Sequence, residues 1–216
     1  MNNHRQRHTA HIFTTILATL FVSMVCLVSC DDDEHSQPSY IKSLVEVNTD
    51  ASSNVKSIRT DDGTTYSVHQ AISADKADTT YRCLATYTLS TSGITLYSIS
   101  PVFSAHPKPT SKYQSTPLDP VKFVSAWRSD RYVNLRIDIL TTGVDNHAYG
   151  FAHDSTTIAA DGKQTACFTL LHQRPKTDAE SYTENVFLSM PLSHYSECDS
   201  FAINIMTYEG EKRIIL

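Results

Sequence analysis

A period of two runs through this sequence from residue 40 to residue 216. Short stretches rich in Val, Ile, Thr, Tyr and Phe alternate apolar with polar side chains. Turn residues punctuate them at Asp62-Gly63, Ser92-Gly93, Thr142-Gly143, Asp161-Gly162 and Glu209-Gly210. Alternation at that period puts successive side chains on opposite faces of an extended chain. Glycine accepts the positive φ that tight turns require. No long amphipathic helix is visible, and residues 71–78 are the one stretch expected to form a short helix. The pattern predicts an all-β chain.

Strands are expected at 40–49, 55–60, 64–69, 81–89 and 94–104, with a hairpin at Asp61-Asp62-Gly63. Five strands with a helix between the third and fourth predict an N-terminal five-stranded OB-like barrel over 40–117. Pro107, Pro109, Pro117 and Pro120 then cluster. Proline removes a ladder donor and biases the preceding residue toward extended geometry, so this stretch reads as a linker. Further strands at 121–127, 132–141, 147–153, 165–173, 184–190, 201–208 and 212–216 predict a C-terminal antiparallel β-sandwich over 118–216. In the second of these, Val133, Leu135, Ile137 and Ile139 share one face and Asn134, Arg136 and Asp138 the other. That is the signature of one buried and one wet face. The apolar end Ile214-Ile215-Leu216 calls for a partner strand.

The first thirty residues read as an address. Arg5 and Arg7 precede an apolar run at 12–28, and no acidic residue occurs before Asp31. A positive start followed by an apolar stretch is a secretory signal pattern. Leu27-Val28-Ser29-Cys30 resembles a lipobox, which implies cleavage after residue 29 and diacylation of the Cys30 thiol; the other reading is an uncleaved anchor helix. Residues 30–39 are expected to be an acidic linker. Asp31, Asp32, Asp33 and Glu34 resemble the surface-export signal of certain Gram-negative anaerobes, which implies an outer membrane lipoprotein at the cell surface. From residue 30 onward, 16 basic face 23 acidic side chains, a net charge of -7. Such an acidic chain lacks the clustered basic face that nucleic acid needs.

Four segments together resemble the NigD-like lipoprotein family. They are Cys30-Asp31-Asp32-Asp33-Glu34, Thr60-Asp61-Asp62-Gly63-Thr64-Thr65-Tyr66, Tyr81-Arg82-Cys83-Leu84-Ala85-Thr86-Tyr87, and a block from Pro120-Val121 through Ser125-Ala126-Trp127-Arg128-Ser129-Asp130-Arg131-Tyr132-Val133-Asn134-Leu135. The resemblance covers most of the chain after residue 29. It implies an N-terminal OB domain and a C-terminal β-sandwich, in line with the strand pattern. The family takes its name from a gene in a bacteriocin locus, which implies an immunity or accessory role. It supplies no catalytic residues to carry over.

The residues themselves point away from familiar chemistry. The sequence holds no G-x-S-x-G elbow, no dinucleotide or P-loop glycine pattern and no C-x-x-C pair. Cys83, Cys167 and Cys198 follow Cys30; Cys167 and Cys198 could pair, or stay as buried thiols. His147 and His153 share a strand face but lie about 20 Å apart, too far for one metal. His194 and Glu197 match a metal motif only superficially. Trp127, the only tryptophan, is expected in the sandwich core, with a stacking platform as its functional alternative. Tyr132 and Tyr149, with Tyr113, Tyr182 and Tyr195, are candidates for a binding rim. No catalytic residue, cofactor or metal is expected. The expected function is a non-enzymatic envelope lipoprotein that binds an extracellular protein or glycan and contacts the membrane through its lipid anchor. A bacteriocin-immunity-type lipoprotein and an envelope hydrolase without a standard motif are the alternatives.

Overall fold

The structure is a computed structural model that describes residues 39–91, 93–144, 146–176 and 182–216. Fourteen strands and one 3-10 turn (Thr110–Lys112) make up the regular elements of these residues, as the alternation predicts.

The first body is one antiparallel sheet of β1 (Ile41–Thr49), β2 (Val55–Thr60), β3 (Thr65–Ser67), β4 (Thr80–Ser90) and β5 (Gly93–Pro101), in the order β3-β2-β1-β4-β5. The sheet curls until β3 approaches β5. Across that seam the Leu96 N–H donates to Gln70 Oε1 at 2.8 Å. A five-stranded sheet curling toward closure is the OB arrangement. Its interior is filled by Val45, Val47, Ile58, Cys83, Ala85, Tyr87 and Leu96. The β2–β3 hairpin turns at Gly63, whose φ of +89° an L side chain rarely adopts. Asp62 Oδ1 closes the turn by accepting the Thr64 N–H at 2.9 Å and the Thr60 hydroxyl at 2.5 Å.

Residues 71–78 form no helix. The Val55 N–H donates to the Ile72 carbonyl and the Ala74 N–H to the Ser53 carbonyl, at 2.9 and 2.8 Å. Backbone groups that a helix would pair internally are paired with the β1–β2 connection instead.

The second body is a sandwich of two sheets. One runs β14 (Gly210–Ile215), β13 (Ser200–Thr207), β11 (Gln164–Gln173), β10 (Ala148–Ile158), β7 (Lys108–Pro109). The other runs β6 (Phe103–Ser104), β12 (Tyr182–Pro191), β9 (Tyr132–Thr141), β8 (Lys122–Arg128). Leu135, Ile137, Phe151, Phe168, Leu188, Phe201 and Ile203 interdigitate between them. Most of the pairing is antiparallel, but β6–β12, β7–β10 and β11–β13 are parallel. The proline-rich stretch runs along the sandwich: β7 borders β10, Leu118 bridges His172 and Val121 bridges Thr207. The apolar end is paired as expected. β14 lies antiparallel to β13, and Phe201 and Leu216 exchange two backbone hydrogen bonds of 2.9 Å.

One expectation fails in an informative way. Asn134, on the expected wet face of β9, is fully buried while Arg136 on that face is exposed, and Arg82 and Glu46 of the first body are buried at 3% and 8% exposure. The outer face of β1 and β4 lies against the outer face of the β8–β9–β12 sheet, so that face of β9 is covered there.

Candidate functional site

Charged residues in the middle of strands meet where the two bodies join. Arg82 of β4 is 3% exposed and forms an ion pair with Asp61 in the β2–β3 turn. Its Nε donates to Ser189 Oγ at 3.2 Å, and Nη2 donates to Asn134 Oδ1 at 3.2 Å. Asn134 in turn donates through Nδ2 to Asp61 Oδ2 at 3.2 Å and accepts from Ser189 Oγ at 2.7 Å. The Arg82 guanidinium also stacks on the Tyr132 ring, 4.2 Å from its centroid. A second layer flanks the first. Glu46 of β1 accepts from Tyr132 Oη and Arg131 Nη1, each at 2.7 Å. Arg59 reaches Asp130 at 3.1 Å. Burial, with the Glu46 carboxylate beside it, pushes the Tyr132 phenol up to about 12. The β8–β9 hairpin therefore reaches the first body with Tyr132 half-buried against Arg82 and Glu46, while Arg131 and Asp130 stay exposed and pair with Glu46 and Arg59 at the rim.

Next to this clamp a cleft of about 850 Å³ opens between the bodies. Ser125 and Trp127 of β8, Arg136 of β9, and Asn185 and Phe187 of β12 form one wall. Ile41 and Leu44 of β1, Tyr66 of β3, and Leu84 and Tyr87 of β4 form the other. Asp61 and Asp62 lie at its turn end.

Trp127 reaches this cleft because of a bulge. Lys122 pairs with Asp138 and Phe123 with Ile137, but the next pair is Ser125 with Arg136, so Val124 is an extra residue. In a regular strand Phe123 and Trp127 would share a face. One inserted residue reverses the parity. Phe123 and Ala126 pack on the sandwich core, while Trp127, opposite Asn134, faces outward and stays half-buried in the cleft.

The other candidates lie elsewhere. Tyr132 belongs to the clamp. Tyr149 packs against the sandwich core beside a second cavity of about 510 Å³, where burial raises its phenol well above the ordinary range. Its ring stacks on His172 at 5.3 Å, and His172 stacks on His147 at 5.1 Å. His172 Nδ1 lies 2.8 Å from the Asp119 carbonyl, which can only accept, so His172 carries its proton on Nδ1. His172 Nε2 is then the acceptor for His147 Nδ1–H at 2.8 Å. Burial above all, with His147 adding to it, moves the His172 imidazole below its ordinary value. His153 contacts Phe168 and Tyr195, and His194 stacks on His106 at 4.7 Å. Among the described residues no three His, Cys, Asp or Glu side chains gather as metal ligands. Cys83, Cys167 and Cys198 are free and buried, so the 167–198 bond is not formed. Cys30, Asp31, Asp32, Asp33 and Glu34 lie outside the described residues.

Arg136 and Phe187 carry no motif, and of the clamp only Tyr132 is among the expected contact residues, although Asp61, Arg82, Asp130, Arg131 and Asn134 lie inside the segments that resemble the family. A signal for the clamp does exist: Glu46 and Arg82 are charged residues inside otherwise apolar stretches, Leu44-Val45-Glu46-Val47 and Arg82-Cys83-Leu84-Ala85.

The model of the NigD-like C-terminal beta sandwich domain matches residues 103–216. Among solved structures, the chain is similar to a NigD-like immunity protein from Bacteroides caccae, with 23% identity, 83% of this chain and 92% of that chain covered, and a TM-score of 0.61. A provisionally named toxin-related protein from Parabacteroides distasonis aligns at 18% identity over 82% of this chain and 92% of that chain, TM-score 0.64. A provisionally named lipoprotein from Bacteroides fragilis aligns at 12% identity over 83% and 96%, TM-score 0.60. At these identities the likeness is one of fold. No curated protein matches.

Proposed function

We propose that this chain, which belongs to the NigD-like family, is a non-enzymatic binding lipoprotein of the bacterial envelope, held at the outer membrane through Cys30 and displaying its inter-body cleft at the cell surface. The observation that carries the reading is the cleft. Both bodies contribute aromatic walls, its volume falls within the range of small-ligand sites, and a buried polar clamp fixes its width. The acidic run Asp31–Glu34 supplies the export signal, and residues 30–39 supply the tether. No helix among the described residues is long and apolar enough to cross a membrane.

The test is photocrosslinking on intact cells. A photoreactive side chain at Ser125, inside the cleft, is compared with one at Lys163 on the β10–β11 hairpin, and surface exposure is read by added protease. Adducts specific to position 125 on a protease-accessible protein support the proposal. Equal labelling at both positions, or a protein shielded from protease, removes it. An immunity role is the second reading, favoured by the name of the Bacteroides caccae structure. It requires that a deletion strain become sensitive to a rival's secreted toxin.

A further inference from the structure

β12 is paired along its whole length on one side only. β9 pairs it from Tyr182 to Pro191, whereas β6 meets it at Leu188 and Ser189. From Tyr182 to Phe187 its other edge has no partner strand among the described residues, a gap of ordinary strand length. β10 is open at the same corner: β7 pairs Ala152 and His153, and no described strand lies beyond Ala148–Gly150. The two open edges belong to the two sheets of the sandwich and border one cavity, the space of about 510 Å³ beside Tyr149. Free edges elsewhere in the sandwich carry blocking devices. β8 has Lys122 and the Val124 bulge, and β14 has Lys212 and Arg213. The open stretch of β12 reads Tyr-Thr-Glu-Asn-Val-Phe, keeps its register with β9 throughout, and contains no lysine, arginine or proline.

The chemistry of the cavity is as specific as its shape. Glu184 shares a strand face with Val186 and Leu188, which belong to the sandwich core, so it faces the gap between the sheets. Its charge adds to burial in raising the Tyr149 phenol, so the two groups are within electrostatic reach. Phe103, Ile139, Val186 and Tyr182 complete the walls. No lysine or arginine lines the cavity, and Glu184 has no ion-pair partner among the described residues.

We infer that an extended segment of a partner protein adds to β12 along Tyr182–Phe187 and places an arginine or lysine side chain in this cavity, its cationic head beside Glu184 and the Tyr149 ring. The open edge offers backbone N–H and C=O groups that only another chain matches in register, and the cavity reads one side chain of that chain. A basic side chain fits both halves of the lining. Its alkyl stem lies on Phe103 and Val186, while its head meets a carboxylate and an aromatic face. This surface is separate from the cleft on which the binding proposal rests, although the two meet at Leu84, Asn185 and Phe187.

The detergent-solubilised full chain is titrated with fluorescein-labelled heptapeptides of alternating threonine and valine whose central residue is arginine, lysine, glutamine or glutamate. An arginine peptide N-methylated at alternate peptide groups, and free arginine, complete the set. The arginine and lysine peptides should bind saturably, about tenfold tighter than the glutamine peptide, the size of one charge-assisted contact, and the glutamate peptide should bind weakest. Binding should slow amide hydrogen exchange within residues 182–187, and N-methylation should abolish it. Glu184→Gln should bring the arginine and glutamine peptides level while keeping the affinity for the glutamine peptide and the thermal midpoint. Equal binding of these two peptides by the native protein, an unchanged preference in the variant, or an N-methylated peptide that binds as well as its parent overturns the inference. So does exchange protection that falls outside residues 182–187. Free arginine binding as tightly as the peptide would make this a small-molecule site and overturns it too, as does silence from every peptide. The cleft reading is decided separately, by the crosslink at Ser125.

Discussion

At the scale of single residues, Arg82 is the most exacting position. Arg82→Ala leaves Asp61 without its ion-pair partner and Ser189 Oγ without its donor, and Asn134 Oδ1 keeps only the Ser189 hydroxyl. Removing one partner of a buried pair costs about 3–5 kcal/mol, so urea unfolding should show a loss of that order. A loss below about 1 kcal/mol would mean that water reaches the pair. His172 sets a pH dependence whose sign follows from its environment. The folded protein keeps the imidazole neutral, while the unfolded chain protonates it near 6.5. The unfolded state then binds more protons, so stability falls as pH drops through that value toward the lowered folded one. Asp50, Asp62 and Asp161, whose carboxyls are shifted down, titrate well below this window. The urea midpoint should therefore decline between pH 7.5 and 5.5, and His172→Gln should flatten that decline. Cys83, pushed up to about 12 by burial, should resist iodoacetamide at pH 8 until the protein unfolds. Rapid alkylation of the native protein would show that the first body opens locally.

At the scale of elements, what the sequence made legible was set by local physics. β9 (Tyr132–Thr141) and β2 (Val55–Thr60) coincide with the expected strands because uninterrupted alternation marks a strand without help from its neighbours. Residues 71–78 read as helical because Val55, which donates to the Ile72 carbonyl, and Ser53, which accepts from Ala74, lie about twenty positions earlier, beyond any local window. The face of Trp127 was hidden for a related reason. A bulge is a relation between two strands, and β8 read alone keeps its parity. Deleting Val124 should restore that parity, drive Trp127 toward the core and displace Ala126. The expected outcome is a lower melting temperature, with Trp127 emission shifted to the blue and shielded from acrylamide. Unchanged emission would show that the bulge does not set the side chain's direction. β14 makes a simpler case. Removing residues 214–216 strips the backbone partners of Phe201 and an apolar contact of the sandwich core, and should lower the thermal midpoint by several degrees.

At the scale of the whole molecule, the two bodies keep separate apolar cores and are joined across a buried polar layer. Glu46 and Arg82 stand out as charges inside apolar strands, but what they meet is not visible locally, because Arg131, Tyr132 and Asn134 arrive from elsewhere in the chain. Native unfolding should be a single transition while the layer is intact. Glu46→Ala removes the acceptor of both Tyr132 and Arg131, and calorimetry should then resolve two transitions, one for each core. A single transition in this variant would assign the coupling to the contacts that Arg82 keeps with Asn134 and Ser189. The fixed gap between the bodies also has a kinetic meaning. A jaw whose setting is locked by its own frame does not close on what enters it, so capture should be a one-step encounter, with an observed rate that rises linearly with ligand concentration and no slow phase behind it. Different ligands would then be told apart by how long they stay once inside, since arrival treats them alike.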